Sequence, residues 1–180
     1  CYLPLRLSFV GKEFINNRSN PGKLAEKTDL GAEYINDDSP AADAEAIVMM
    51  IDCFLAAGLS DFRIDIGQSE FYRAIMEALD VSDEVKAQIH EYIENKNSLG
   101  MELLLSDISM KDCYRNILLE YNELYGDASM LEQAKKLTIN PGCQAAIERL
   151  EQVYEVICHY GYEKYVSFDL GMVNHFDYYT

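Results

Sequence analysis

The sequence has no tryptophan, only four prolines and three histidines, and few cations: 15 Lys and Arg stand against 31 Asp and Glu, a formal net charge of −16 at pH 7. A field of that sign repels phosphate backbones, which speaks against nucleic-acid binding by this chain. No run of about 20 apolar residues is present and the opening residues lack a signal-peptide pattern, so neither membrane insertion nor secretion is supported. Cys-x-x-Cys pairs are also missing. The five cysteines, Cys1, Cys53, Cys113, Cys143 and Cys158, are odd in number and scattered. They read as free thiols in a reducing cytoplasm, with Cys53 and Cys158 expected to be buried inside apolar helical runs. Phosphate-binding loops, dinucleotide fingerprints and nucleophile elbows are absent, and no metal or cofactor is expected.

What is present is the make-up of a folded domain, 49% apolar and 26% charged over 180 residues, enough for one compact domain with a small appendage. Leu3 to Phe14 alternates loosely and is rich in Leu, Val and Phe, which predicts a strand. Residues 16–22 are turn formers, and Thr28 to Asn36 reads as the returning strand of a long antiparallel hairpin. After Asp37-Asp38-Ser39-Pro40, a helix is predicted over Ala41 to Gly58, with Ile47, Met50, Ile51, Phe54 and Leu55 at helical spacing. Phe62 to Gly67 alternates as a strand, with Asp65 between two isoleucines expected to face solvent.

From Ser69 to Tyr160 the periodicity is helical. Helices are predicted at Phe71 to Leu79, from the Ser82 cap to Asn95, around Met101 to Leu105, at Lys111 to Leu119 and at Ala128 to Leu137. Asn140-Pro141-Gly142 reads as a turn, and Cys143 to Tyr160 as a long amphipathic helix ending at Gly161. Tyr114, Tyr121, Tyr125 and Met130 are expected to pack between helices. His90 is expected on a charged, solvated helix surface.

The closing stretch carries the most chemistry. An apolar run over residues 165–170 meets Gly171, continues through Met172-Val173, and ends in Asn174-His175-Phe176-Asp177-Tyr178-Tyr179-Thr180, which predicts two strands hinged at the glycine. A polar cluster at a strand end needs solvent or a ligand. Because the chain opens inside one strand and closes inside a motif, it reads as an excerpt of a longer protein.

The order of these segments resembles histidyl-tRNA synthetases and their non-synthetase paralogues, the regulatory subunits of ATP phosphoribosyltransferase. The matching segments are the hairpin, the Ser39 to Glu45 helix start, the Ile64-Asp65-Ile66-Gly67 strand and the terminal Asp-Leu-Gly and Asp-Tyr-Tyr-Thr pair. The resemblance implies an α+β fold: part of an antiparallel sheet of class II aminoacyl-tRNA synthetase type, from residues 1–68 and 162–180, with an all-helical insertion at 69–161. It also implies a histidine-sized pocket. Glu33 would take the ligand's ammonium group, Asp29 stands where the family has a glutamine, and Asp177, Tyr178 and Tyr179 form a wall.

Amino-acid activation needs cations around the α-phosphate of ATP, where negative charge builds up in the transition state. The family's Phe-Arg-x-Glu segment matches Phe14-Ile15-Asn16-Asn17, and its second arginine falls on Asn174. Neither an alkyl group nor a neutral amide replaces a bidentate guanidinium. Each loss removes on the order of 3 kcal/mol of transition-state stabilisation. Arg18, among Asn and Ser, reads as a surface residue. The resemblance therefore implies no catalytic residue of its own. Its implied partners are a short-form ATP phosphoribosyltransferase catalytic subunit, histidine as effector and a second copy in a homodimer within a hetero-oligomer. A divergent histidyl-tRNA synthetase, or a pseudo-synthetase sensing another amino acid, are the alternatives.

Overall fold

The computed structural model describes residues 3–14 and 26–173. The predicted hairpin is there: β1 (Leu5–Phe14) and β2 (Glu26–Ile35) pair antiparallel, with Leu5 opposite Ile35 and Phe14 opposite Glu26. Phe9 lies directly opposite Gly31, and its ring lies across the glycine: a Cβ added at Gly31 would fall 2.2 Å from Phe9 Cζ. Both strands are largely exposed, so this is a two-stranded ribbon set apart from the main core.

The chain re-enters the body at α1 (Pro40–Ala56). Ser39 caps it by accepting from the Ala42 amide at 3.2 Å, and Pro40 occupies the first turn, where its missing N–H costs nothing. Gly58, at φ +88°, ends it. The buried side is Ala42, Ala44, Val48 and Ile51, with Ile47 and Leu55 half-buried; Met50 and Phe54, predicted to face inward, are exposed. The helix is apolar nearly all round, so periodicity does not select a face; the alanines do, by letting α1 pack against α7 (Pro141–His159).

Next come β3 (Ile64–Ile66) and helices α2 (Ser69–Ala78), α3 (Asp83–Glu94), α4 (Ser98–Asp107), α5 (Asp112–Glu120) and α6 (Ser129–Leu137), then α7. Two short strands complete the list, β4 (Tyr125–Gly126) between α5 and α6 and β5 (Val166–Asp169) after α7. They form a mixed sheet in the order β3-β5-β4, parallel between β3 and β5 and antiparallel between β4 and β5. Phe168, Leu170 and Val173 share one core with Phe71, Ile75 and Tyr121, so helices and sheet bury a common apolar surface.

Several expectations are corrected. Pro141 and Gly142 are the first residues of α7 rather than a turn before it; Asn140 is the cap, its Oδ1 accepting from the amides of Gly142 (2.8 Å) and Cys143 (3.5 Å). Gly142 is required by close approach, since a Cβ there would lie 2.7 Å from Ala74 Cβ on α2. Met172-Val173 is not a strand: Asp169 Oδ1 accepts from the Gly171 amide at 2.8 Å and curls the chain into a turn. His90 is only 9% exposed, wedged between α3 and α2 with Nδ1 3.0 Å from the Tyr72 hydroxyl. Cys53 and Cys158 are exposed, off the stripes along which α1 and α7 meet, whereas Cys143 is buried. Tyr125 lies on β4, 61% exposed, beneath the Lys96 ammonium 5.2 Å from its ring centroid. Tyr121 and Met130 are buried as expected. No helix among the described residues is long and apolar enough to cross a membrane.

Candidate functional site

Glu33 and Asp29 stand four residues apart on β2, and the period of a strand puts both on one face. The opposite strand sets Leu7 across from Glu33 and Gly11 across from Asp29, with the Phe9 ring over Gly31 between them. The two carboxylates thus flank an aromatic ring, an arrangement that attracts a cation from three sides. They are not equivalent. Asp29 Oδ2 is 3.4 Å from Lys27 Nζ, whereas Glu33 has no ion pair among the described residues. Glu33 also lines a groove of about 220 Å³ shared with Arg6, Leu7, Glu45 and Met49, where the ribbon meets α1.

The angle of the ribbon is held by a polar brace. Arg6 Nε and Nη2 donate to the two Glu45 carboxylate oxygens at 2.5 and 2.7 Å, and Nη2 also donates to the Tyr34 hydroxyl at 2.7 Å. Tyr34 in turn donates to Asp37 Oδ2 at 3.0 Å, and Asp37 Oδ1 accepts from the Ser39 amide at 3.0 Å, at the cap of α1. The Arg6 hydrogen bond holds the Glu45 carboxyl below its ordinary range. Hydrogen bonds from Ser39 and then Tyr34 do the same for Asp37.

At the end of β5, the Asp169-Leu170-Gly171 turn is pinned from several sides. Asp169 Oδ2 receives Lys96 Nζ at 3.1 Å, the Leu170 amide donates to the Leu124 carbonyl at 3.0 Å, and the buried Tyr121 hydroxyl donates to the Leu170 carbonyl at 3.0 Å. Lys96 reaches this position from a left-handed backbone, φ +50°, just past α3. Gly67 abuts the same turn: a Cβ on it would be 3.1 Å from Met172 Cβ. The Asp-Ile-Gly and Asp-Leu-Gly motifs, about a hundred residues apart, are therefore in contact. Asp65 is exposed as expected and accepts from the Ser167 hydroxyl at 2.5 Å across the parallel pair.

Asp177, Tyr178 and Tyr179 lie outside the described residues, as do Cys1, Ile15, Asn17, Arg18, Asn174 and His175. Sequence reasoning missed Arg6 and Lys96, and it read Tyr121 as packing without its hydrogen bond; Lys96 and Tyr121 act across 73 and 49 positions, beyond any local pattern. No group of three or more His, Cys, Asp or Glu among the described residues is placed to hold a metal ion.

The histidyl-tRNA synthetase family model matches residues 2–180. The ATP phosphoribosyltransferase regulatory subunit of Acetivibrio thermocellus is 37% identical over 177 residues, which are 98% of this chain and 42% of that protein. The protein of the same name from Thermoanaerobacter pseudethanolicus is 33% identical, with 98% and 47% covered. Among solved structures, an ATP phosphoribosyltransferase regulatory subunit/histidyl-tRNA synthetase from Bacillus halodurans superposes with a TM-score of 0.86 at 30% identity, over 99% of this chain and 46% of that one. The chain spans less than half the length of these relatives.

Proposed function

The chain belongs to the histidyl-tRNA synthetase family, and from that premise we propose that it serves as the core of a non-catalytic regulatory subunit of ATP phosphoribosyltransferase in the cytoplasm. It activates a short-form catalytic subunit that condenses ATP with phosphoribosyl pyrophosphate, and it carries histidine feedback on that first step of histidine biosynthesis. What carries this reading is the pair Ile15 and Asn174, which the resemblance sets opposite two arginines of the synthetases. An adenylate-forming site without those guanidiniums lacks the charge its transition state requires. The names of the similar proteins support the same assignment.

Glu33 receives the histidine ammonium, with Phe9 beside it and Asp29 at the far side of that ring. Asp177, Tyr178 and Tyr179 supply the opposite wall. Binding without turnover regulates only if histidine favours one state of the complex over the other. Two copies pair within the hetero-oligomer.

The test mixes the full-length protein with a short-form catalytic subunit and follows phosphoribosyl-ATP formation with and without histidine. Activity that requires this protein and falls with histidine supports the assignment. No activation, together with histidine-dependent pyrophosphate exchange into ATP, replaces it with a divergent synthetase.

A further inference from the structure

A second concavity lies on the other side of the molecule's chemistry, between α2 and α3. It has a volume of about 370 Å³, within the range of small-molecule sites, roughly 300 to 1,000 Å³. Met76, Ala87 and Val173 give it an apolar floor, and Tyr72, Lys86 and His90 form polar walls, with Ser69, the first residue of α2, at the mouth.

Its charge is unlike that of the neighbouring grooves. The groove beside the ribbon carries Glu33 and Glu45 against Arg6, the one between α2 and α7 carries Asp38, Asp43, Glu70 and Glu148 against Arg149, and the one along the far side of α1 carries Glu45 and Asp52; both arginines are already paired, Arg6 with Glu45 and Arg149 with Asp38 and Asp43. In a chain of net charge −16, the α2–α3 cleft has a lysine and a histidine on its wall and no carboxylate among its described lining residues. Lys86 forms no ion pair among the described residues, although Asp83 lies one helical turn before it. His90 is nine-tenths buried, and its ring is oriented by the hydrogen bond between Nδ1 and the Tyr72 hydroxyl. A partly solvated ammonium over an apolar floor, beside a phenol held by the imidazole, presents one positive charge and a hydroxyl to whatever enters.

We propose that the α2–α3 cleft is a binding site for a small organic monocarboxylate with a short aliphatic or single-ring body. The carboxylate pairs with Lys86 and accepts a hydrogen bond from the Tyr72 hydroxyl, which His90 Nδ1 holds in place, and the hydrocarbon part covers Met76, Ala87 and Val173. One lysine balances one charge, which favours a carboxylate over a phosphate dianion. Because Val173 ends the turn that Asp169 begins, an occupant also braces that turn against α2 and α3. The site is separate from the Glu33 face, and it does not depend on the regulatory assignment.

The test uses the full-length protein with ¹³C-labelled histidine, titrated separately with isobutyrate, benzoate and inorganic phosphate while the His90 Cε1 resonance is followed; His90→Gln identifies the signal. The expected result is a saturable shift with at least one carboxylate at millimolar concentration. Lys86→Met weakens it about tenfold or more, and Lys136→Met, on the exposed side of α6, leaves it unchanged. Lys86 is only partly buried, so its methionine variant folds, which an unchanged melting curve checks. A shift that rises linearly without saturating, or one equal in Lys86→Met, overturns the proposal. Saturation by phosphate and by neither carboxylate overturns the ligand class. These outcomes are read without the catalytic subunit, so failure of the regulatory assignment does not alter them.

Discussion

The Tyr121 hydroxyl donates to the Leu170 carbonyl at 3.0 Å, both groups buried, joining the 3₁₀ turn after α5 to the turn after β5 across 49 positions of sequence. Tyr121→Phe keeps the ring and strands a buried carbonyl, so it should cost about 1–2 kcal/mol. Urea unfolding at an unchanged m-value measures it. Burial also holds the phenol neutral, well above the ordinary value of 10.0. Above that value the unfolded chain ionises while the folded one does not, so stability falls as pH rises beyond it. The wild type should therefore lose more stability than Tyr121→Phe between neutral and strongly alkaline pH; parallel curves would contradict this.

The ribbon should respond to acid. Glu45 and Asp37 both titrate below their ordinary values of 4.5 and 3.8. Their contribution is present above those values and disappears as pH falls through the lower folded ones. Amide exchange in β1 and β2 should speed up relative to intrinsic rates over that window, while the helical core is unaffected. Arg6→Met should remove most of the Glu45 share. The brace is solvent-exposed, so the change is local and small.

Gly142 and Ala74 make a third test. Gly142→Ala places a methyl 2.7 Å from Ala74 Cβ, an overpacking that typically costs about 1–3 kcal/mol. The cost should shrink when Ala74→Gly is added, although Ala74→Gly alone is destabilising by about 1 kcal/mol. A double-mutant cycle with no coupling would show that α2 and α7 do not meet there.

In the reconstituted complex, Glu33→Gln should raise the histidine concentration needed for inhibition about tenfold or more, by removing an ion pair to the ammonium. Asp29→Asn should do less, because Lys27 already occupies that carboxylate. Inhibition curves for the two variants decide the order.

Restoring arginine at Ile15 and Asn174 together should not create histidine activation, since Asn17 and Asp29 also depart from the family's pattern. Pyrophosphate exchange into ATP at any rate well above background would refute this.

Much of the fold was legible because its signals are local. Ser39 and Ser82 mark helix starts, Gly58 and Gly161 mark ends, and loose alternation marks the ribbon. The unread parts depend on partners distant in the chain. β4 is two residues long and exists because Tyr125 and Gly126 pair with Asp169 and Phe168. His90 follows Ile89 on a helix whose charged residues suggest solvent, but it is buried where α3 meets α2, with Tyr72 against it. At the site, the spacing of Glu33 and Asp29 was enough to put them on one face, and their inequality was not, because it rests on Lys27 and on the ring of Phe9 across Gly31.

The turn from Asp169 to Val173 also has a mechanical meaning. It is hydrogen-bonded to the lysine beyond α3 and to the phenol after α5 and abuts the glycine after β3, three contacts that do not lie along one stretch of backbone. A joint fixed at three such points resists twisting as well as stretching. Tension applied at Val173 is thus delivered at once to two helical segments and a strand, which makes this turn the stiff end of a lever.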